Sequence, residues 1–426
     1  MPVGRVSPSL VAMLPRSFLM AVVGLLVFAS PSFAQLPCGF PPFQACEQPQ
    51  PQPPSQAPPS GPGFPIGFPN SSAPILAEYS GPDRRGVDPR SPNPLIGERW
   101  FVDHRQPSWR YWRAYRRKGS KGRAAQMWKI AREPKFRWFG RFNRSARKEV
   151  REYIDRARRV GQVPLIATLR HQGRECNARY QGGGPSEDAR TRSWFRAFAR
   201  GIGRSRVIIA FEPDSVGTIK CLARSRREAR SRLLRYGVDV LSKLPNATIY
   251  IEATASDWVP AARVARALRR IGVHKVRGFM LNTTHYDWSS RNIRYGLDIS
   301  RRVGGKPFVV STHFNGRGPV HYRRRRGKRN LRINVHCHPL HRGLGIPPTT
   351  STFHPKVDAL FWIGRPGFSG GSCNGGPLPV GRWWSRRALS LARNQTLQFG
   401  PKAGTRFGWA RGKFSLRDVA GDQLRR

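Results

Sequence analysis

Val207-Ile208-Ile209-Ala210-Phe211-Glu212-Pro213-Asp214-Ser215 is the stretch on which the fold is decided. Five apolar residues in succession make a strand covered on both faces, because a strand with one wet face would alternate apolar and polar. Two carboxylates follow where the chain leaves the core. Comparable runs stand at Val163–Leu169, Ala247–Glu252, Gly278–Asn282, Pro307–Ser311 and Asp358–Ile363. Between them lie helix-like stretches at Ser145–Val160, Arg190–Ile202, Ala223–Leu244, Trp258–Ile271 and Ser289–Val303. Strand-then-helix order predicts a parallel sheet, either a barrel or a doubly wound sheet. No Gly-rich phosphate fingerprint follows any strand, which disfavours a nucleotide-binding sheet.

In such folds the working residues gather at the carboxyl ends of the strands. Those ends carry Arg174-Glu175-Cys176, Glu212-Pro213-Asp214, Glu252, Asn282 and Ser311-Thr312-His313. A carboxyl just past a buried strand sits in a partly dry cleft, where burial favours the neutral acid. A protonated carboxyl near neutral pH is what a glycosidase needs to donate to a leaving oxygen. On this segment alone, a turn-capping aspartate is an equal reading of Asp214.

The chain of 426 residues is long enough for one large domain or two ordinary ones. Its 76 Lys and Arg against 24 Asp and Glu give a net charge of +52, which excludes an acidic protein and admits polyanions as partners. With 38% hydrophobic residues and 12 Trp it buries a sizeable core, so global disorder is excluded. Residues 1–34 read as a secretory signal: Arg5 and Arg16, an apolar run from Phe18 to Ala29, then Ser32-Phe33-Ala34. Its removal takes two Arg and no acid, leaving +50. No other segment is apolar enough to span a bilayer. Residues 35–75 form an extended linker, with 13 Pro between 35 and 74, followed by one folded region at 76–426. Six Cys in an exported chain predict three disulfides, with Cys38 and Cys46 closing a small loop in the linker. His336-Cys337-His338 has poor metal spacing, and neither metal nor cofactor is expected.

In their order along the chain, Arg174-Glu175-Cys176 with Gly182-Gly183-Gly184, Glu212-Pro213-Asp214-Ser215, Tyr250-Ile251-Glu252-Ala253 with Trp258, Gly278-Phe279 with Asn282 and Tyr286, Asn315-Gly316-Arg317-Gly318-Pro319, His336-Cys337-His338-Pro339 and Val357–Ile363 through Cys373 resemble the motifs of glycoside hydrolase family 6, the inverting cellobiohydrolases and endoglucanases. The resemblance covers about residues 93–390. It implies a distorted seven-stranded parallel β/α barrel with disulfides Cys176–Cys221 and Cys337–Cys373. It further implies a β-1,4-glucan in a cleft at the strand ends, Asp214 as proton donor and Glu175 as its modulator and relay. Arg174, Trp258, Asn282, His336 and Arg365 are the implied sugar contacts.

Departures from the family pattern fall near the chemistry. The aspartate of Arg-Asp-Cys is Glu175, and the tyrosine that opens that motif is Leu169. The run Lys-x-Pro-Gly-Glu-Ser-Asp-Gly reads Gly364-Arg365-Pro366-Gly367-Phe368-Ser369-Gly370-Gly371, so the usual general base falls on Gly370. Inversion needs a carboxylate about 6.5–9.5 Å across from the acid to seat a water, and losing general-base help costs about 10²–10⁴-fold. Glu175, Glu252, Asp257 and Asp287 are the nearby acids that remain as replacements. The expectation is a secreted, monomeric glucanase, impaired at this position. The alternatives are a non-catalytic carbohydrate-binding barrel, or a basic protein held by charge on an anionic cell wall with no specific nucleic acid. Two basic runs, Arg110–Arg123 and a rim loop at His321–Arg329, motivate the last reading.

Overall fold

Along each buried run, successive side chains face opposite ways and sort into two cores. In the computed structural model, which describes residues 90–171, 185–326, 329–352, 354–401 and 408–409, seven parallel strands line up in chain order. They are β1 (Arg137–Gly140), β2 (Leu165–Leu169), β3 (Val207–Phe211), β4 (Ala247–Glu252), β5 (Gly278–Leu281), β6 (Phe308–Ser311) and, after a hairpin of β7 (Val320–Arg326) and β8 (Arg329–Asn334), β9 (Val357–Phe361). A two-residue strand, β10 (Gly408–Trp409), pairs with β7. Leu165 and Ala167, Ile208 and Ala210, Tyr250, Met280, Val309, Ala359 and Phe361 pack together inside the curled sheet. Their neighbours Ile166, Ile209, Phe211, Ile249, Ile251, Phe279, Leu281, Phe308 and Val310 pack outward against the helices.

The helices are α1 (Pro107–Arg117), α2 (Lys121–Ala131), α3 (Ala146–Arg158), α4 (Pro185–Ile202), α5 (Arg224–Leu241), α6 (Ala261–Ile271), α7 (Ser289–Arg302) and α8 (Ser385–Arg393). Ser145 caps α3 by accepting from Lys148 N, while Glu149 reaches back to Ser145 N. The edge strands β1 and β9 share no ladder. Phe136 N donates to Trp362 O (3.3 Å) and the Trp138 indole to Ile363 O (2.7 Å), which ties the two edges into a distorted barrel. The expected barrel is therefore the observed one, and the doubly wound alternative is set aside by the single-direction strand order.

Two expectations are corrected here. The run His321–Arg329 is a β-hairpin and not a loop: β7 and β8 pair antiparallel from His321↔Asn334 to Arg326↔Arg329. The strand β1 went unread because Arg137-Trp138-Phe139-Gly140 is short and opens on a charge.

The amino end of the barrel is sealed by buried ion pairs. Arg277 donates to both oxygens of Asp358 (2.9 Å each), and the Tyr250 hydroxyl donates to Asp358 Oδ2 (2.7 Å). Arg206 pairs with Glu98 (2.6 Å) and also donates to Thr248 Oγ1 and the Asn246 carbonyl. Removing one partner of such a pair leaves an uncompensated buried charge. Arg277→Met is therefore expected to destabilise the protein by about 3–5 kcal/mol in urea unfolding; a loss below about 1 kcal/mol would mean that the pair is open to water.

Candidate active site

At the opposite, carboxyl end, three strands run into left-handed backbone at residues that are not glycine. Glu212 (φ 55°) and Asp214 (φ 70°) follow β3, Thr254 (φ 66°) follows β4 and Asn282 (φ 64°) follows β5. Each costs of order 1–3 kcal/mol and persists only where the surroundings impose it. Buried carboxylates impose it here. Glu212, fully buried, accepts Arg170 N (3.0 Å) and His171 N (2.7 Å), and its own amide donates to Thr168 Oγ1. Burial works against its ionisation, but the bonds from His171 and the backbone hold it below the ordinary carboxyl value. Glu252 does the same one strand on, accepting Val216 N and Thr254 N at 2.7 Å each. Its burial, reinforced by the charge of Asp214, wins against those bonds and pushes it up to about 8. Glu252 is thus a neutral acid at pH 7, beside Asp214.

Asp214 is half-buried at the mouth. Its carbonyl accepts Thr218 N and Thr218 Oγ1, and its Oδ1 accepts the Thr284 hydroxyl at 2.6 Å. The next residue, His285, bonds Asp257 Oδ1 through Nδ1 (2.7 Å), while Asn334 at the foot of the β7–β8 hairpin donates to Asp257 Oδ2 (2.7 Å). Burial disfavours the Asp257 anion, yet the His285 charge and hydrogen bond bring it down to about 2. The His285 ring stacks on Trp258 (4.7 Å, 19°) and lies 4.0 Å from the His336 ring. Burial first, then His285, pushes His336 down to about 3. Trp258 lies flush on Gly217, where any Cβ would run into the indole.

The sequence-derived residues divide clearly. Asp214, Trp258, Asn282 and His336 come together on the β3–β6 side of the mouth, and Arg365 stands past β9. Trp258 is 9% exposed and Asn282 is sealed, its amide donating to the Asp287 and Ser311 carbonyls; both hold the loops in place in this structure rather than offering an open face. Arg365 is half-buried, its guanidinium over Phe368 (4.5 Å) and Trp138 (5.6 Å). Arg174, Glu175 and Cys176 lie outside the described residues, as do Cys38 and Cys46. Cys221 is disulfide-bonded, and Cys337 is bonded to Cys373. Cys337, His338 and Cys373 have metal-like proximity. Their sulfurs are spent on the disulfide, and His338 uses Nδ1 on Cys373 O and Nε2 on Gly370 N. With no thiolate and no free imidazole nitrogen, the trio offers an ion no strong ligand.

Among the described residues, the replacements proposed for the general base are occupied. Glu252 is buried and protonated. Asp257 has both oxygens engaged and is a weak base. Asp287 gives one oxygen to Ser256 Oγ (2.6 Å) and the other to Trp288 N and Arg291. Gly370 is exposed, and a Cβ there would meet only His338 Nε2 at 3.4 Å, an ordinary contact. Thr284 and His285 were missed from sequence. Their signal was a hydroxyl and an imidazole two and three residues after Asn282, in the loop that leaves β5.

Comparison with known proteins gives the family and the fold. The family described as "Glycosyl hydrolases family 6" matches residues 96–408. Endoglucanase A of Cellulomonas fimi is 33% identical over 306 residues, covering 71% of this chain and 62% of that protein, so the chain spans under two thirds of that relative's length. Endoglucanase 1 of Streptomyces halstedii is 29% identical, covering 60% of this chain and 77% of its own length. The structure of the endoglucanase Cel6 from Mycobacterium tuberculosis, in complex with methyl-cellobiosyl-4-deoxy-4-thio-β-D-cellobioside, superposes with a TM-score of 0.63 at 32% identity, covering 71% of this chain and 99% of that one.

The raised Glu252 makes stability pH-dependent. The folded state keeps this proton up to about 8 while the unfolded chain releases it near 4.5, so the contribution is full below 4.5 and declines as pH rises toward 8. In thermal melts, Glu252→Gln is expected to flatten the loss of Tm between pH 5 and 8; an unchanged slope would show that Glu252 ionises normally in the fold.

Proposed function

The chain belongs to glycosyl hydrolases family 6, and from that premise we propose that it is an exported hydrolase of β-1,4-glucosidic bonds in a β-glucan, acting with inversion and with Asp214 as the acid. The observation that carries this reading is the placement of Asp214. It stands on a strained turn at a strand carboxyl end, half-open to solvent, oriented by Thr284 and backed by a neutral Glu252. Strain kept at a strand end is characteristic of working residues. Burial first, then the charge of Asp214, pushes Glu252 up to about 8, so a neutral carboxyl stands behind Asp214 near neutral pH.

In this mechanism the glycan lies across the strand ends. Asp214 passes its proton to the glycosidic oxygen as the C–O bond breaks, and water adds to the anomeric carbon from the other face. Without a carboxylate at Gly370, the proton of that water leaves through solvent, with Glu175 as the acid proposed to relay it. Slow turnover follows, because positioning and the acid remain while base assistance is lost. The signal at 1–34 and the linker at 35–75 are part of the same proposal, as an export signal and a tether. Among the described residues no helix is long and apolar enough to cross a membrane.

The vacancy at Gly370 also favours a second reading, a barrel that holds glycan without cutting it. Reducing-sugar release from soluble β-glucan separates the two. Asp214→Asn is expected to fall to background, and Gly370→Asp, whose Cβ would meet only the His338 ring, to raise kcat by about 10²-fold. If the unaltered protein and Asp214→Asn release sugar equally and Gly370→Asp gains nothing, the hydrolase reading fails.

A further inference from the structure

Helices α1 and α2 carry a surface that the catalytic reading leaves unused. From Arg105 to Arg132 the chain has ten Lys and Arg and no Asp or Glu. Arg110, Arg113, Arg116, Arg117, Lys121 and Arg123 are all exposed, and among the described residues none of them pairs with a carboxylate. Basic residues elsewhere are often neutralised, as in Arg226–Asp188 (2.7 Å), Arg156–Asp103 (3.2 Å) and Arg302–Asp298 (3.1 Å). Acid-free runs also stand at 258–286, 299–357 and 359–417, so what marks this stretch is its density of cations, ten in 28 residues with no acid between them.

The cations are also ordered. Arg113 lies 5.6 Å over Trp109, Arg116 5.1 Å over Trp112, and Arg110 6.0 Å from the centre of the Tyr111 ring. The indoles are half-buried in one cluster: Trp112 and Trp128 are 4.7 Å apart, and Trp109 is 4.9 Å from Trp112 and 3.9 Å from the His104 ring. A guanidinium stacked on an aromatic face keeps its N–H edge free and already oriented, so less entropy is lost when it forks onto an oxyanion. The surface is continuous with the mouth of the barrel. Tyr111 meets Trp383 (5.7 Å), Trp383 meets Phe368 (5.2 Å), and Phe368 lies under Arg365 at the end of β9.

We propose that this α1–α2 face docks an acidic polysaccharide, with its carboxylates held by the forked guanidiniums of Arg110, Arg113 and Arg116. The choice of a glycan over a nucleic acid rests in part on the family reading above. The geometry supports it as well: the faces of Trp109 and Trp112 are covered by Arg113, His104, Arg116 and Trp128, so neither indole is an open platform on which a base would stack. Docking here does not require cleavage, so it is tested separately from hydrolysis.

The test measures binding of the whole protein, carrying Asp214→Asn so that nothing is cut, to polygalacturonate, to neutral β-glucan and to a short DNA duplex. The variant Arg110→Ala/Arg113→Ala/Arg116→Ala is compared with Arg263→Ala/Arg266→Ala/Arg270→Ala, which removes three exposed cations from α6. The α1 variant is expected to lose about tenfold or more in polygalacturonate affinity and the α6 variant under about twofold. Arg113→Lys/Arg116→Lys, which keeps charge and fold but loses the fork, is expected to fall between them. Equal losses for the α1 and α6 variants would overturn the proposal in favour of diffuse charge attraction. DNA affinity that falls as steeply as polygalacturonate affinity in the α1 variant would overturn it in favour of a nucleic-acid surface.

Discussion

Two carboxylates are buried at the barrel mouth so that backbone amides have somewhere to point, and the rest of the site depends on that constraint. Glu212 accepts from the end of β2, and Glu252 accepts from the turn after β3 and the turn after β4. Together they hold Glu212, Asp214 and Thr254 in left-handed backbone that these residues would otherwise avoid. Asp214 points into the mouth because its neighbours are tied down. The two acids resolve burial differently. Glu212 has His171 and several backbone donors and stays ionised, whereas Glu252 faces the Asp214 charge and holds its proton. The same residue type therefore serves as an ionised anchor in one place and as a neutral acid in the other.

Sequence and structure agree most closely where a run is buried on both faces. Val207–Phe211 and Ala247–Glu252 are strands with the bounds that their apolar character predicts. Agreement fails where arginine obscures the pattern. The helix α1, Pro-Ser-Trp-Arg-Tyr-Trp-Arg-Ala-Tyr-Arg-Arg, has an aromatic side that reads as scattered among its cations. The β7–β8 hairpin carries four consecutive Arg, a composition that suggests a solvated loop. In that hairpin pairing to a partner strand overrides local propensity, and no single-segment reading detects the partner.

The candidate site was legible as far as its carboxylates, because strand ends are where such residues are sought. The roles of its neighbours were not. Asn282 and Trp258 read as sugar contacts, yet both are nearly closed off, and which surface a side chain keeps is set by tertiary packing. Thr284, His285 and Asn334 act through contacts 28 to 77 residues away in sequence, a range at which motif spacing has no purchase. His338 likewise fixes the Gly370 segment across 32 residues.

The central claim is that Asp214 works beside a glutamic acid that stays neutral, and carbon-13 NMR of glutamate-labelled protein tests it most directly. With the Glu252 carboxyl resonance assigned by its disappearance in Glu252→Gln, a pH titration should show it inflecting near 8. An inflection at the ordinary carboxyl value near 4.5 would contradict the account, since Glu252 would then be charged at neutral pH and no neutral acid would stand behind Asp214.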